Sequence, residues 1–526
     1  MTTERRPRRR QTSAALLSNQ TLLILVCVLS VVLVALLFVS GSLHNDVPAG
    51  TGDSILGSTG SVPTGDTGTS ESVTTTGPEE TTIPPETSLP PETTAPPETT
   101  APAPTLPVTP QGGNYINVGS GYIAEVIQNN VETFDGKTSD DYSHPTNNYL
   151  PKGTVDYCDR DIVYGSGKLT YVQMRSGHRI YEKKKIYPPV ENVPEVERYE
   201  GKLPDHNEIG AASMQTVGHH TVLTLNTMWK APFYFDIAPQ KYANPDGGSA
   251  RNYAITSLTV KYVDITFCYA TEFTGNVTIP AGNPLFKSAE IIKNEADYTL
   301  RLHLRKTGGF YGWHAYYNAQ DQLCFQFLNP TKVVTADNAY GADLTGAVIL
   351  LDVGHGGDDG GAEDSSKQWD ESALNMMLAR ALETELKSLG ATVIFNRTED
   401  VNLNINKRQE NLTNTSPDLC IAIHQNSYSD EKVGGFDTMY YTPYSKVLAE
   451  QIAVRTKDAG IYTKSRFHWS VNYFMCRQTV CPVVLTENGY ISNADDLAGM
   501  IDPVTVAAKA KAITQGTVDY FLSINK

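Results

Sequence analysis

From about residue 344 to the C-terminus, short and almost wholly apolar runs alternate with amphipathic stretches, and no other feature narrows the possible folds as far. "AVILLDVG" from Ala347, "ATVIFNR" from Ala391, "DLCIAIHQN" from Asp418 and "CPVVLTENGYISN" from Cys481 read as strands. Between them, "ESALNMMLARALETELKSLG" (Glu371 to Gly390) and "SKVLAEQIAVRTKDAG" (Ser445 to Gly460) repeat apolar residues at helical spacing. A strand that is apolar on both faces needs cover on both, and helices alternating with strands supply it. The pattern therefore predicts an α/β layer sandwich, a mostly parallel central sheet flanked by helices, over residues 344–526. In open sheets of this class, ligand-handling groups gather beyond the carboxyl ends of the strands.

The rest of the 526-residue chain divides by composition. Residues 1–20 are basic, and 21–40 contain the apolar string Leu22 to Val39, long enough for one transmembrane helix. Arginines before that string and none just after it orient the N-terminus inside and the bulk of the chain outside. The alternative is a cleaved signal peptide, but the string is long for one and only Val39 and Gly41 offer a small-residue cleavage site. Residues 41–112 are Thr, Pro, Ser, Gly and Glu, with "PPET" recurring at Pro84, Pro90 and Pro96. Such a composition cannot bury a core and reads as a disordered stalk, with a reach of as much as ~200 Å at about 3.1 Å per residue.

Residues 113–343 carry alternating runs such as "SLTVKYVDITFCYA" and "YTLRLHLR", the period of antiparallel β-structure, with a break between Pro194 and Pro204. His219 and His220 are adjacent, so on a strand they point to opposite faces and make a poor metal pair. Trp313 is open to two readings, stacking on a sugar or packing in a core. The net charge of −16 comes without a basic patch apart from Arg5 to Arg10, which excludes nucleic acid as the expected partner. Of seven cysteines, Cys27 lies in the apolar string and the other six form no C-x-x-C pair. Cys476 with Cys481 is a candidate disulfide outside the cell, and Cys420 reads as a small buried hydrophobe.

Chemistry concentrates where the strands of the last region end. His355 follows the first strand in "DVGHGGDDGGAED", where glycines let the backbone turn tightly and let a large substrate approach. Glu371 opens the next helix, His424 ends another strand, and Glu487 ends "PVVLTE". Two imidazoles and a carboxylate from different elements make a three-ligand set that leaves a position for water, which suits a catalytic zinc; Glu487 would then be the free carboxylate beside that water. Singly, each residue also has a structural reading as a helix cap, a satisfied strand-end histidine or a solvated acid.

These motifs carry a family resemblance. "DVGHGG", "GA" at Gly361, "WDE", "NRTED", "AIHQN" and "TENGYISN" make Ala347 to Lys526 similar to the catalytic domain of zinc-dependent N-acetylmuramoyl-L-alanine amidases, the amidase type 3 family. By that resemblance His355, Glu371 and His424 match the metal ligands and Glu487 the catalytic glutamate. Asn426 and Arg477 fall where the family has polar residues near the cleft, with substrate orientation and strand-end hydrogen bonding as the two readings. Val353 replaces the family's proline, Ser372 replaces a common lysine and Gln425 follows the second histidine; no ligand is lost. Arg397, Asp400 and Arg408 are expected to hold the fold through ion pairs. The stretch before the domain, "DYTLRLHLRKTGGFYGWHAYYNAQDQLCFQFLNP", resembles the AMIN module found ahead of cell-wall amidases.

The resemblance implies hydrolysis of the peptidoglycan amide between N-acetylmuramic acid and L-alanine, with Zn2+ as cofactor. The arginine flank and the apolar string Leu22 to Val39, not the resemblance, predict a single-pass protein of the cell membrane whose catalytic domain works outside, in the wall. Some relatives insert a plugging helix after the second histidine's strand; here there is little room for one, so an open site is expected, with residues from about 343 onward active alone. Two alternatives stand beside this reading: a catalytically silent wall-binding protein on the same fold, and another zinc hydrolase of the wall, a carboxypeptidase or deacetylase.

Overall fold

The apolar runs after residue 344 become neighbouring strands of one six-stranded sheet. The structure, a computed structural model, describes residues 114–525 apart from the segments 118–120, 136–143, 165–167, 187–190, 239–257 and 463–464. The basic tail, the apolar segment 21–40 and the stalk 41–112 lie outside the described residues. Among the described residues, no helix is long and apolar enough to cross a membrane.

The strands are β1 (Val348–Val353), β2 (Thr392–Phe395), β3 (Leu419–Asn426), β4 (Phe436–Tyr440), β5 (Ser465–Ser470) and β6 (Val483–Tyr490). Their spatial order is β2-β1-β3-β6-β4-β5. The first four in that order run parallel, β4 runs antiparallel to β6, and β5 is parallel to β4. The carboxyl ends of β1, β3 and β6 thus share one edge.

Side chains alternate between faces. Ile349, Leu351, Ile421, Ile423 and Val484 share a core with α1 (Glu371–Ser388), α3 (Lys446–Asp458) and α5 (Pro503–Ile524). Helix α1 starts where Asp370 accepts the amide of Ala373 and stops at Gly390, whose φ of 86° no other residue adopts cheaply. The sequence pattern does not announce α2 (Ile405–Thr415) or α4 (Ala494–Ile501). In α2 Leu412 is the buried apolar residue, and an Asn404 cap on the Lys407 amide marks its start.

The opposite face is where structure and expectation differ. Leu350, Cys420 and Val483 enter a core shared with Leu412 of α2 and with Phe235, Trp313, Phe325 and Phe327 of the β-rich region. One face of the sheet is therefore covered by helices, and much of the other by the preceding region. Of the strands between Asn114 and Glu200, eight build one sheet and Lys183–Ile186 pairs with Glu191–Pro194 in a separate two-stranded sheet, while those from Asn207 to Leu328 build sheets of five and four strands.

Trp313 is fully buried and stacks on Phe235 at 3.8 Å, so it is a core residue and not a sugar platform. His219 reaches Asp418, just before β3, with Nδ1 3.0 Å from Oδ1. Asp418 also accepts from Thr331 Oγ1 and the Val348 amide. The part from about 343 onward is therefore not a free-standing body: removing what precedes it would uncover a shared core. All six described cysteines are free and buried, which corrects the candidate Cys476 to Cys481 disulfide, and Cys420 is fully buried as expected. Between β3 and β4, residues 427–435 form turns and contain no helix.

Candidate active site

Arg408, Arg397 and Asp400 shape the turn after β1. Arg408 of α2 pairs with Asp352 (2.5 Å) and donates to the carbonyls of Val353 (2.7 Å) and His355 (3.0 Å). Arg397 acts differently from the ion pair expected of it: its guanidinium donates to the carbonyls of Val353, Gly354 and Ser372, because a carbonyl-lined turn offers it acceptors at 2.9 to 3.2 Å. Asp400 accepts from the Gly357 amide. So braced, His355 sits at a φ of 57°, a left-handed conformation uncommon for a side-chain-bearing residue and found where local structure over-determines it.

The glycines of "VGHGGDDGGA" are needed for space as much as for turning. A Cβ on Gly354 would lie 2.4 Å from Cε1 of His424, and one on Gly361 would lie 2.6 Å from Glu371 Oε2. The backbone is stripped there because two ring and carboxylate groups lie directly against it.

His355, Glu371 and His424 each offer one ligand atom, and these atoms lie within 4.8 Å of one another. The Glu371 carboxylate bridges the two rings, with Oε1 2.8 Å from His424 Nδ1 and Oε2 3.1 Å from His355 Nε2. Oε1 also accepts the Gln425 amide and Oε2 the Ala362 amide, each at 3.1 Å. Burial opposes the charge on Glu371, but its hydrogen bonds to His355 and His424 outweigh that cost and hold its carboxyl well below the usual carboxylate range. His355 is likewise desolvated, yet its contacts to Asp359 and Glu371 push its imidazolium up to about 10. A buried, ionised carboxylate between two partly exposed imidazoles, in a cradle kept clear by Gly354 and Gly361, fits a divalent metal of the zinc type.

Two supporting residues escape sequence reasoning. Asp359 places Oδ2 2.9 Å from His355 Nδ1, the arrangement that orients a ligating imidazole. Asn375, one helical turn after Glu371 and fully buried, donates to Gly354 O (3.3 Å) and accepts from Gln425 Nε2 (3.3 Å). The i, i+4 spacing from each ligand was the available signal.

Glu487 is the register partner of His424 on the adjacent parallel strand, so both side chains leave the same face one strand apart. Asn426 ends β3 two residues beyond His424 and accepts the Ser427 amide through Oδ1 at 2.8 Å. Of the two readings of Arg477, the contacts that the structure gives it are hydrogen bonds and an ion pair within the protein. Its fork is taken up by Glu132 of the β-rich region at 2.6 and 2.8 Å and by the Asn472 carbonyl at 2.9 Å, because a buried guanidinium requires a partner.

Residues 349–518 match the family model described as N-acetylmuramoyl-L-alanine amidase. The chain is 30% identical over 203 residues to the N-acetylmuramoyl-L-alanine amidase LytC of Bacillus subtilis, covering 38% of this chain and 40% of that one. It is 30% identical over 190 residues to the probable cell wall amidase LytH of Staphylococcus aureus, covering 36% and 63%. In both cases the match spans less than two thirds of the relative's own length. Among solved structures, the catalytic domain of CwlV from Bacillus (Paenibacillus) polymyxa aligns at 30% identity and a TM-score of 0.32, over 34% of this chain and 99% of that one. Residues 349–518 therefore match the N-acetylmuramoyl-L-alanine amidase family, and the groups converging beyond β1, β3 and β6 lie inside that match.

Proposed function

We propose that this chain hydrolyses the peptidoglycan amide between N-acetylmuramic acid and L-alanine, with zinc held by His355, Glu371 and His424. The observation that carries this reading is the convergence of those three donors at one open sheet edge, inside the segment that matches the amidase family. Zinc bound there supplies Lewis acidity that polarises a carbonyl and brings the pKa of a water toward ~7. Glu487, on the same face as His424, accepts the water's proton and passes it to the departing amine. Asp359 fixes the ring of His355, and Asn426 orients the substrate at the mouth of the site. The segment 21–40 anchors the chain in the cell membrane, and the stalk 41–112 lets the site reach the wall outside.

The test is digestion of purified peptidoglycan by the full chain with and without a chelator. The reading expects newly freed L-alanine amino groups that disappear on chelation and return with zinc. Freed reducing sugars, released acetate or no product would each overturn it.

A further inference from the structure

Residues 471–482, "VNYFMCRQTVCP", join β5 to β6 and lie against the face of the sheet that bears the candidate catalytic groups. Val471 and Cys476 pack on Ala422, Met439 and Leu485. Ala422 and Leu485 precede His424 and Glu487 by two positions on the same strands, hence on the same face. Five residues after Pro482 comes Glu487 itself.

The β-rich region grips this segment along its length. Glu132, 3% exposed, makes the two-point ion pair with Arg477. The Tyr149 hydroxyl lies 3.1 Å from the Arg477 carbonyl and 3.4 Å from Glu132 Oε1. The Lys184 ammonium sits 3.9 Å above the ring centroid of Phe474. Trp313 donates its amide to Thr479 O at 2.7 Å, and a Cβ on Gly312 would come within 2.5 Å of Val480 O. Gln409 of α2 closes the set, donating to Asn130 O at 3.2 Å and to Gln478 Oε1 at 2.9 Å.

We infer that the β-rich region is a working part of the active site: Glu132, through Arg477, is a positioning residue that holds residues 471–482 against the catalytic face and so sets the placement of Glu487. The physical reason is the asymmetry of a buried ion pair. With both charges present, the fork holds the segment in one geometry. With Glu132 gone, an uncompensated guanidinium stays buried unless the segment moves to let it reach water. Such a movement displaces Cys476 from beside Leu485, and catalytic groups tolerate only about 0.5 Å of misplacement.

The inference rests on the amidase reading for its activity assay, so a second readout that needs no activity accompanies it. In the full chain, Glu132→Gln is expected to lower kcat about tenfold per folded, zinc-loaded molecule with KM changed less than about twofold, since a misplacement near 1 Å costs up to ~10²-fold. Tyr149→Phe, which removes one hydroxyl and keeps the packing, is expected to lower kcat about two- to threefold and leave the fold intact. In both variants, amide hydrogen exchange at 471–482 should quicken while zinc content stays at the wild-type level. Unchanged kcat and unchanged exchange in Tyr149→Phe would overturn the inference, as would a Glu132→Gln loss that only tracks the fraction of folded chain. A rise in kcat would overturn it too, because the ion pair would then restrain the site. A wild-type chain that frees no amino groups sinks the amidase reading instead, and the exchange data still decide whether Glu132 holds the segment.

Discussion

Gly354→Ala isolates the geometry of one candidate ligand without touching a ligand. Gly354 does not lie among the positive-φ residues, so alanine suits its backbone, and the bonds to its carbonyl from Asn375 and Arg397 survive the change. The added methyl would stand 2.4 Å from Cε1 of His424 and 2.7 Å from each of its ring nitrogens, where ordinary contact begins at 3.4 Å. The ring must therefore retreat by roughly 1 Å, about five times the ±0.2 Å within which metal-ligand distances hold. Disturbing the support of a ligand costs about 10- to 100-fold in metal affinity, and a misplacement of this size near ~10²-fold in turnover. The assay pairs zinc affinity, by competition with a chromophoric chelator, with the rate of amino-group release at saturating zinc. Both should fall while the metal-free protein stays folded. Affinity and turnover within twofold of wild type would remove His424 from the ligand set.

Glu487→Ala should keep about one zinc per chain and lose roughly 10²- to 10⁴-fold in rate, whereas His424→Ala should lose metal and activity together; a Glu487→Ala protein with near wild-type turnover refutes the assignment of the proton shuttle. In the metal-free protein His355 is raised to about 10, above its unfolded value near ~6.5, so the stability it contributes is complete below that unfolded value and is lost as pH rises through about 10. Zinc uptake near pH ~8 must consequently expel about one proton from His355, measurable by calorimetry in buffers of different ionisation enthalpy; heats that do not depend on the buffer would contradict the ligand set. Arg408→Ala strands the buried carboxylate of Asp352 and should cost about 3–5 kcal/mol in a denaturant titration, a loss below ~1 kcal/mol being incompatible with that ion pair. Reductant should leave the melting temperature unchanged, because the six described cysteines are free; a marked fall would mean a disulfide forms.

Much of the candidate site was legible because the signals are local. An apolar run ending in glycines places His355 at a strand end, the opening of a helix places Glu371, and two further apolar runs place His424 and Glu487 at strand ends. Each of these rests on backbone periodicity, which neighbouring residues determine among themselves. Asp359 and Asn375 were within reach of the same reasoning, being four residues from His355 and Glu371, but spacing names a shared face and not the atom that will be bonded.

What only the tertiary structure decided is which distant segments meet. The family resemblance leaves Arg477 open between substrate orientation and hydrogen bonding within the fold; its partner is Glu132, 345 positions earlier, and nothing near either residue announces the other. The same holds for the cover of the sheet's second face. Strands apolar on both sides demand cover, and the sequence by itself establishes that demand; that Trp313, Phe325 and Phe327 supply it, in place of more helices, depends on how the β-rich sheets close their own cores. Periodicity is written between neighbours along the chain, whereas the choice of partner is settled by which buried charges and apolar faces would be left uncompensated in every other arrangement.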